Sequence, residues 1–304
     1  MTENPPHFVF LWLVELRDNT GAGYNANLQS RKQQLSSQYR MEVGSTVNDF
    51  KVQIMKKLLL TASILTAISG AAFAEEELID PSDLTRVYTQ GAVFVTSDAE
   101  VRLSTMMTGA WSEDIQFAGF AEANFGHDEK DDFGTSYQNA RAQYFQVHAL
   151  DNGVMPRAGF MVDAIHDRNP VGSDMSLLSA GAIGLINPAY TGGIMVFPNV
   201  NYTVGEMFDE SVDGYMLNVF TTIPMGDSGA FVQAWPEYMN VSGDTVEMES
   251  TQFNVMLNAP VSSNRTQWLM TKLAYGSTEV KLNDAVIAEG NNELKAEIGM
   301  KWFF

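Results

Sequence analysis

From residue 87 onward the chain alternates apolar and polar side chains in segments of about ten residues. Clusters of Gly, Asn, Asp, Ser and Pro separate these segments. A period of two is the mark of a strand, because successive side chains point to opposite faces. The clearest case is the last segment. Leu294, Ala296, Ile298, Met300, Trp302 and Phe304 fall on one side, and Lys295, Glu297, Gly299, Lys301 and Phe303 on the other. The pattern predicts strands over 87–96, 101–111, 115–126, 137–149, 154–166, 176–187, 193–204, 214–225, 230–241, 246–259, 266–278 and 293–304. That is an all-β chain of about 12 strands. Ten is the alternative count, since the first two segments alternate least clearly.

Several strands carry a consistently apolar face. Ile115, Phe117, Ala121, Ala123 and Phe125 oppose Gln116, Glu122 and Asn124. Ala158, Phe160, Val162 and Ala164 oppose Arg157 and Asp163. Val232, Ala234, Pro236 and Tyr238 oppose Gln233, Trp235 and Glu237. Phe253, Val255, Leu257 and Ala259 oppose Gln252, Asn254 and Asn258, and Leu269, Leu273 and Tyr275 oppose Trp268, Met270 and Lys272. Exposed apolar strands aggregate in water. They are stable when the apolar side meets lipid and the polar side a lumen, so the pattern predicts a transmembrane antiparallel up-and-down β-barrel. Segment 137–149 is ambiguous in phase, and 176–187 is apolar on both faces. Pro198 and Pro236 predict bulges, because proline cannot donate to the ladder.

Connection lengths orient the barrel. The links at 112–114, 150–153, 188–192, 226–229 and 260–265 are short and read as periplasmic turns. Those at 127–136, 167–175, 205–213 and 279–292 are longer and read as extracellular loops, with short exceptions near 97–100 and 242–245. Trp111, Tyr144, Tyr202, Tyr238, Tyr275, Trp302 and Phe304 are candidates for the aromatic girdles at the two interfaces.

The terminal pattern of Glu297, Gly299, Trp302 and Phe304 resembles the C-terminal assembly signal of porin-like Gram-negative outer-membrane β-barrels. The resemblance implies an outer-membrane location, contact with outer-membrane lipid and lipopolysaccharide, and a last strand read by the barrel-assembly machinery. The start of the chain agrees. Residues 55–74 hold Met55-Lys56-Lys57, an apolar run and Ala72-Phe73-Ala74, the build of a secretory signal peptide cleaved after Ala74. The apolar run is shorter than the roughly 20 residues of a transmembrane helix. Translation is expected to start at Met55, which makes 1–54 a non-native extension. Residues 75–86 read as a periplasmic tail and 87–304 as the barrel.

Composition narrows the function. Cysteine is absent, so thiol and disulfide chemistry are excluded. Residues 75–304 hold 11 basic and 32 acidic side chains. That acidic excess speaks against nucleic-acid binding, which needs basic patches. Asp128, Glu129, Asp131 and Asp132 crowd one expected loop, and Glu206, Asp209, Glu210 and Asp213 another. Oxygen clusters of this kind suit divalent cations, although a solvated rim is the simpler reading. His127 and His166 fall near the outer rim and His148 near the periplasmic end. No Gly-rich phosphate loop, metal-ligand spacing or Ser-His spacing of a barrel phospholipase is present, and no cofactor is expected.

The expected lumen lining is Glu122, Arg141, Arg157, Asp163, Glu237, Lys272 and Glu297. Charges of both signs there read either as a selectivity lining or as a paired network that fills the barrel. The function expected is a passive channel for small polar or cationic solutes. The alternatives are a closed structural or surface-receptor barrel, akin to a solitary autotransporter translocator, and a lipid-modifying enzyme. Nothing in the chain marks an oligomer contact.

Overall fold

The computed structural model describes residues 87–126, 136–168, 173–290 and 292–304. The expected extension, signal peptide with Ala72 and Ala74, tail, and the acidic loop with His127 lie outside the described residues. The strands are β1 Tyr88–Thr96, β2 Val101–Ser112, β3 Ile115–Gly126, β4 Ser136–Ala149, β5 Arg157–Asp167, β6 Met175–Leu185 and β7 Met195–Met207. They continue as β8 Glu210–Pro224, β9 Phe231–Ser242, β10 Val246–Pro260, β11 Gln267–Leu282, β12 Ala285–Ala288 and β13 Glu293–Phe303. Each strand of the wall pairs antiparallel with the next, β11 pairs with β13, and β13 pairs with β1. The sheet therefore closes as a 12-stranded up-and-down barrel. The four-residue β12 is a short addition folded back on β11.

The outer face is apolar over most of its height. Leu103, Met107, Phe160, Leu178, Val200, Leu217, Phe253, Leu257, Leu269, Leu273, Leu294 and Ile298 all point outward and are exposed. A continuous apolar surface of this extent is costly in water and suits lipid. Aromatic side chains mark its two edges. Near the end where β1 begins and β13 finishes, Trp111 stacks on Phe117 with ring centroids 4.5 Å apart. Its indole nitrogen donates to the Tyr144 hydroxyl at 3.4 Å. Toward the far end lie Phe125, Tyr137, Tyr202, Tyr215, Tyr238 and Tyr275. Phe117 and Phe125 are separated by eight residues of β3, roughly 27 Å of strand at ~3.4 Å per residue. With a tilt of ~40° that is about 20 Å across the membrane, close to the ~25 Å apolar band of outer-membrane barrels. Trp302 departs from its outward parity by being buried, while Phe304 lies against the open position over Gly91.

Beyond the far girdle the polarity inverts. There β7, β8, β10 and β11 present Glu206, Ser211, Asp213, Glu249 and Thr251 outward and Met207, Val212, Val246, Met248 and Val280 inward. A sheet with water outside must bury its apolar face inside. This part of the wall follows the rule for water, and the part below it follows the rule for lipid.

Four expectations are corrected here. Residues 205–213 are not a long loop: β7 and β8 meet through Phe208 and Asp209, both at positive φ. Residues 279–292 continue β11 to Leu282 and then form β12. The far end thus holds some of the tightest turns as well as longer links, and the simple short-and-long alternation does not hold. Pro198 and Pro236 leave gaps in the ladder without changing its register. Among the described strands the register shifts lie instead at Ala110/Ser112, Asn124/Phe125 and Val280/Lys281. The second of these explains the ambiguous phase of 137–149, because Gln138 is the extra residue opposite Asn124 and Phe125. β5 starts at Arg157 rather than 154, since Asn152 Oδ1 caps the backbone N–H groups of Val154 and Met155 and Pro156 follows.

Candidate functional site: the lumen

Inward parity places Arg102 on β2, Glu122 on β3, Arg141 on β4, Asp163 on β5, Glu237 on β9, Lys272 on β11 and Glu297 on β13. The alternation that turns apolar residues outward turns these inward, where charge must be paired because water is scarce. Arg102 lies at the centre of one network. Its Nε donates to Glu297 at 2.8 Å, its Nη2 also bonds Glu297, and its Nη1 donates to Glu122 at 2.6 Å. The guanidinium lies 3.8 Å from the centroid of Phe94. Lys272 completes the group, 3.2 Å from Glu297 and 5.5 Å from the Trp235 ring centroid.

Arg141 organises the second network. It donates to Asp163 through Nε at 3.0 and 3.1 Å and through Nη2 at 2.5 Å. It also donates to Glu237 from Nη1 at 3.2 Å and Nη2 at 2.6 Å. Gln143 supports Asp163 at 2.8 Å. Glu122 and Arg141 face each other in register, which joins the two networks into one belt of alternating sign. The belt holds three bases and four acids.

Arg141 also reaches across the barrel. β4 and β9 are five strands apart in the wall, so the Arg141–Glu237 bond is a strut over the lumen. Phe145 of β4 meets Phe220 of β8 edge-to-face, with centroids 5.4 Å apart. These contacts span the interior and divide it. On β5 to β9, Met161, Leu177, Met207, Met216, Met239 and Val241 pack as an apolar core, which toward the far end also takes in Val246 and Met248 of β10 and Val280 of β11. On the larger side, from β9 through β13 and β1 to β4, four of the charged side chains stay partly in contact with solvent, Glu122 and Arg141 at 18%, Lys272 at 14% and Glu237 at 12% exposure, while Arg102 and Glu297 are buried.

Toward the end where β1 begins, the larger side narrows at an aromatic cluster of Tyr88, Trp268, Phe303 and Phe231. Lys301 is held there 5.1 to 5.6 Å from three of those rings, with Asn258 as its hydrogen-bond partner. Arg157, expected in the lining, sits instead at the barrel edge near the carbonyls of Glu113 and Asp114. The alternation says which face a residue takes but not how far along the axis it lies.

Sequence reasoning missed Arg102. It had a signal, being the only base in a segment whose other inward residues are small or apolar, but the weak alternation of β2 hid it. The apolar half of the lumen was missed too, and the 17 methionines of the chain were its signal. Two of the acids in 206–213 prove to be braces. Glu210 accepts from the Thr245 backbone at 2.7 Å and its hydroxyl at 2.5 Å, and Asp213 accepts from the Tyr202 hydroxyl at 2.9 Å. His166 points outward, 3.0 Å from the Ser176 hydroxyl and stacked on Tyr137. His148 is hydrogen-bonded to Gln146.

The fold and its lumen are those of a membrane-spanning β-barrel. Among solved structures the chain is similar to an outer-membrane channel from Pseudomonas putida F1, at 12% identity over 74% of this chain and 100% of that one, with a TM-score of 0.46. It is also similar to the KdgM porin in complex with disordered oligogalacturonate, at 10% identity over 72% and 99% of the two chains and a TM-score of 0.43. A third is the NanC porin, at 8% identity over 70% and 98% and a TM-score of 0.43. No protein-family model and no curated protein matches the sequence.

Proposed function

We propose that this protein is an outer-membrane channel of narrow bore, with the turns near β1 and β13 facing the periplasm. The observation that carries the reading is the partly solvated charged belt on the larger side of a divided lumen. A structural plug has no need of water around its ion pairs, and a conduit does. The path runs past Trp235, Lys272, Glu297, Glu122 and Glu237, bounded on one flank by the Arg141 strut. Its bore suits small solutes. The belt has one more acid than base, and the exposed tips of β7, β8 and β10 add further carboxylates. Both favour cationic or neutral polar solutes over anions.

The test is single-channel conductance of residues 75–304 in a planar bilayer under a salt gradient. Small, discrete, cation-preferring steps are expected. Arg141→Ala removes the strut and is expected to raise the conductance of each step. A silent bilayer for both proteins, with folded barrel verified by its gel shift on boiling, overturns the channel in favour of a closed barrel.

A further inference from the structure

Every base of the belt pairs a carboxylate: Arg102 with Glu122 and Glu297, Arg141 with Asp163 and Glu237, Lys272 with Glu297. Lys301 of β13 faces the same lumen and pairs none among the described residues. Its Nζ lies 5.1 Å from the ring centroids of Trp268 and Phe303 and 5.6 Å from that of Phe231. It donates a hydrogen bond to the Asn258 carboxamide oxygen at 3.4 Å. In register it stands between Ala92 of β1 and Trp268 of β11, and it is 8% exposed.

Rings and a carboxamide hold an ammonium group without cancelling its charge. A ring attracts a cation through its quadrupole, and an amide oxygen through its dipole. Neither has a net charge, so the unit positive charge of Lys301 remains, where a carboxylate would have neutralised it. The belt is too far away to do so. Glu297 is four residues off along the same face of β13, roughly 14 Å of strand at ~3.4 Å per residue. It is also already held by Arg102 and Lys272.

The larger side of the lumen therefore has two signs along its length. The tips of β7, β8 and β10 and the belt leave negative charge toward the far end. Lys301 puts a positive charge at the aromatic narrowing near the start of β1. We infer that Lys301 is the charge-selecting residue of the inner end. It opposes cations there, limits the preference that the acids set, and makes conduction unequal in the two directions. This role rests on the protein being a channel. Under one polarity cations are driven in over the acids and anions in past Lys301, so both collect between them. Under the other polarity both are drawn out, and the current falls.

The experiment records single channels of the protein in symmetric salt at equal voltages of both signs, at about pH 6, where lysine is a cation. The ratio of the two currents is read channel by channel, so orientation in the bilayer does not enter. The wild type is expected to pass unequal currents. Lys301→Met fills the space between the rings without charge and is expected to equalise them. Under a salt gradient it is also expected to raise the preference for cations at least about threefold, the effect of one unit charge at ~6 Å even at the dielectric of water. Lys301→Arg keeps the charge and is expected to keep the asymmetry. Equal wild-type currents, or a Lys301→Met channel with the wild-type ratio and preference, overturn the role of Lys301 and leave the channel standing. Loss of asymmetry in Lys301→Arg as well traces it to the packing of the rings and overturns the charge. If Lys301→Met shows no gel shift on boiling, Lys301→Gln takes its place under the same criteria. A bilayer silent for the wild type and for Arg141→Ala, with both folded, overturns the channel and this role with it.

Discussion

Single residues carry the geometry of this barrel in two ways. Glu297 accepts from Arg102 and lies beside Lys272, so its removal leaves two buried cations with half their compensation. Breaking a buried pair from one side costs about 3–5 kcal/mol. Glu297→Ala is therefore expected to lower the urea midpoint of the barrel markedly in an equilibrium unfolding series, with Glu297→Gln intermediate because it keeps an acceptor. An unchanged midpoint would show that the network contributes nothing net. Gly159 acts through space. A Cβ there would fall 1.8 Å from the Gln146 carbonyl oxygen, inside the sharp bend where β4 and β5 meet. Gly159→Val is expected to abolish the folded form, seen as loss of the unheated fast-migrating gel band, while Gly153→Ala, in open space, leaves it intact.

At the scale of elements, the strands obey two solvents. Below the tyrosines they are apolar outside and polar inside; above them the order is reversed. The tips of β7 and β8 are tied to the β9–β10 turn by Glu210, whose carboxylate holds Thr245. That tie lies outside the lipid. Glu210→Ala is therefore expected to speed protease cleavage within 243–245 without altering insertion or the boiling shift, measured by limited proteolysis of the protein in vesicles. Equal cleavage rates would mean that the turn is held by its backbone alone. The expectation of an extended acidic loop at 205–213 failed at this scale. Alternation there continues as Val204 and Glu206 outside and Gly205 and Met207 inside, but acidic residues lower strand propensity. What overrides propensity is the packing of Met207 and Val212 into the apolar core, a contact made with distant strands.

For the whole molecule, the central feature is a lumen divided by one arginine. The solvated side offers a path and the packed side offers rigidity, so the barrel need not be round to be stable. Removing the strut should therefore change conductance more than stability. Arg141→Ala with Glu237→Gln and Asp163→Asn, which removes charges together, is expected to fold and to conduct more than the wild type with weakened cation preference.

Fold class was legible from the chain because lipid and water act on every other residue. The period of two, the strand count and the inward parity of Glu122, Asp163, Glu237, Lys272 and Glu297 follow from local alternation, while the phase around Arg141 is blurred by the extra residue Gln138. The partners those residues choose do not follow from it. Arg141 meets Glu237 because residues 96 positions apart face each other across the lumen, and the close strand approaches at Gly159 and Gly181 are announced by no pattern either. The asparagines of β7 and β8 look in sequence like ordinary polar lining. Only the closed structure shows them buried, because burial is a property of what lies across the lumen. Local alternation determines which way each side chain points; the tertiary structure decides what it meets there.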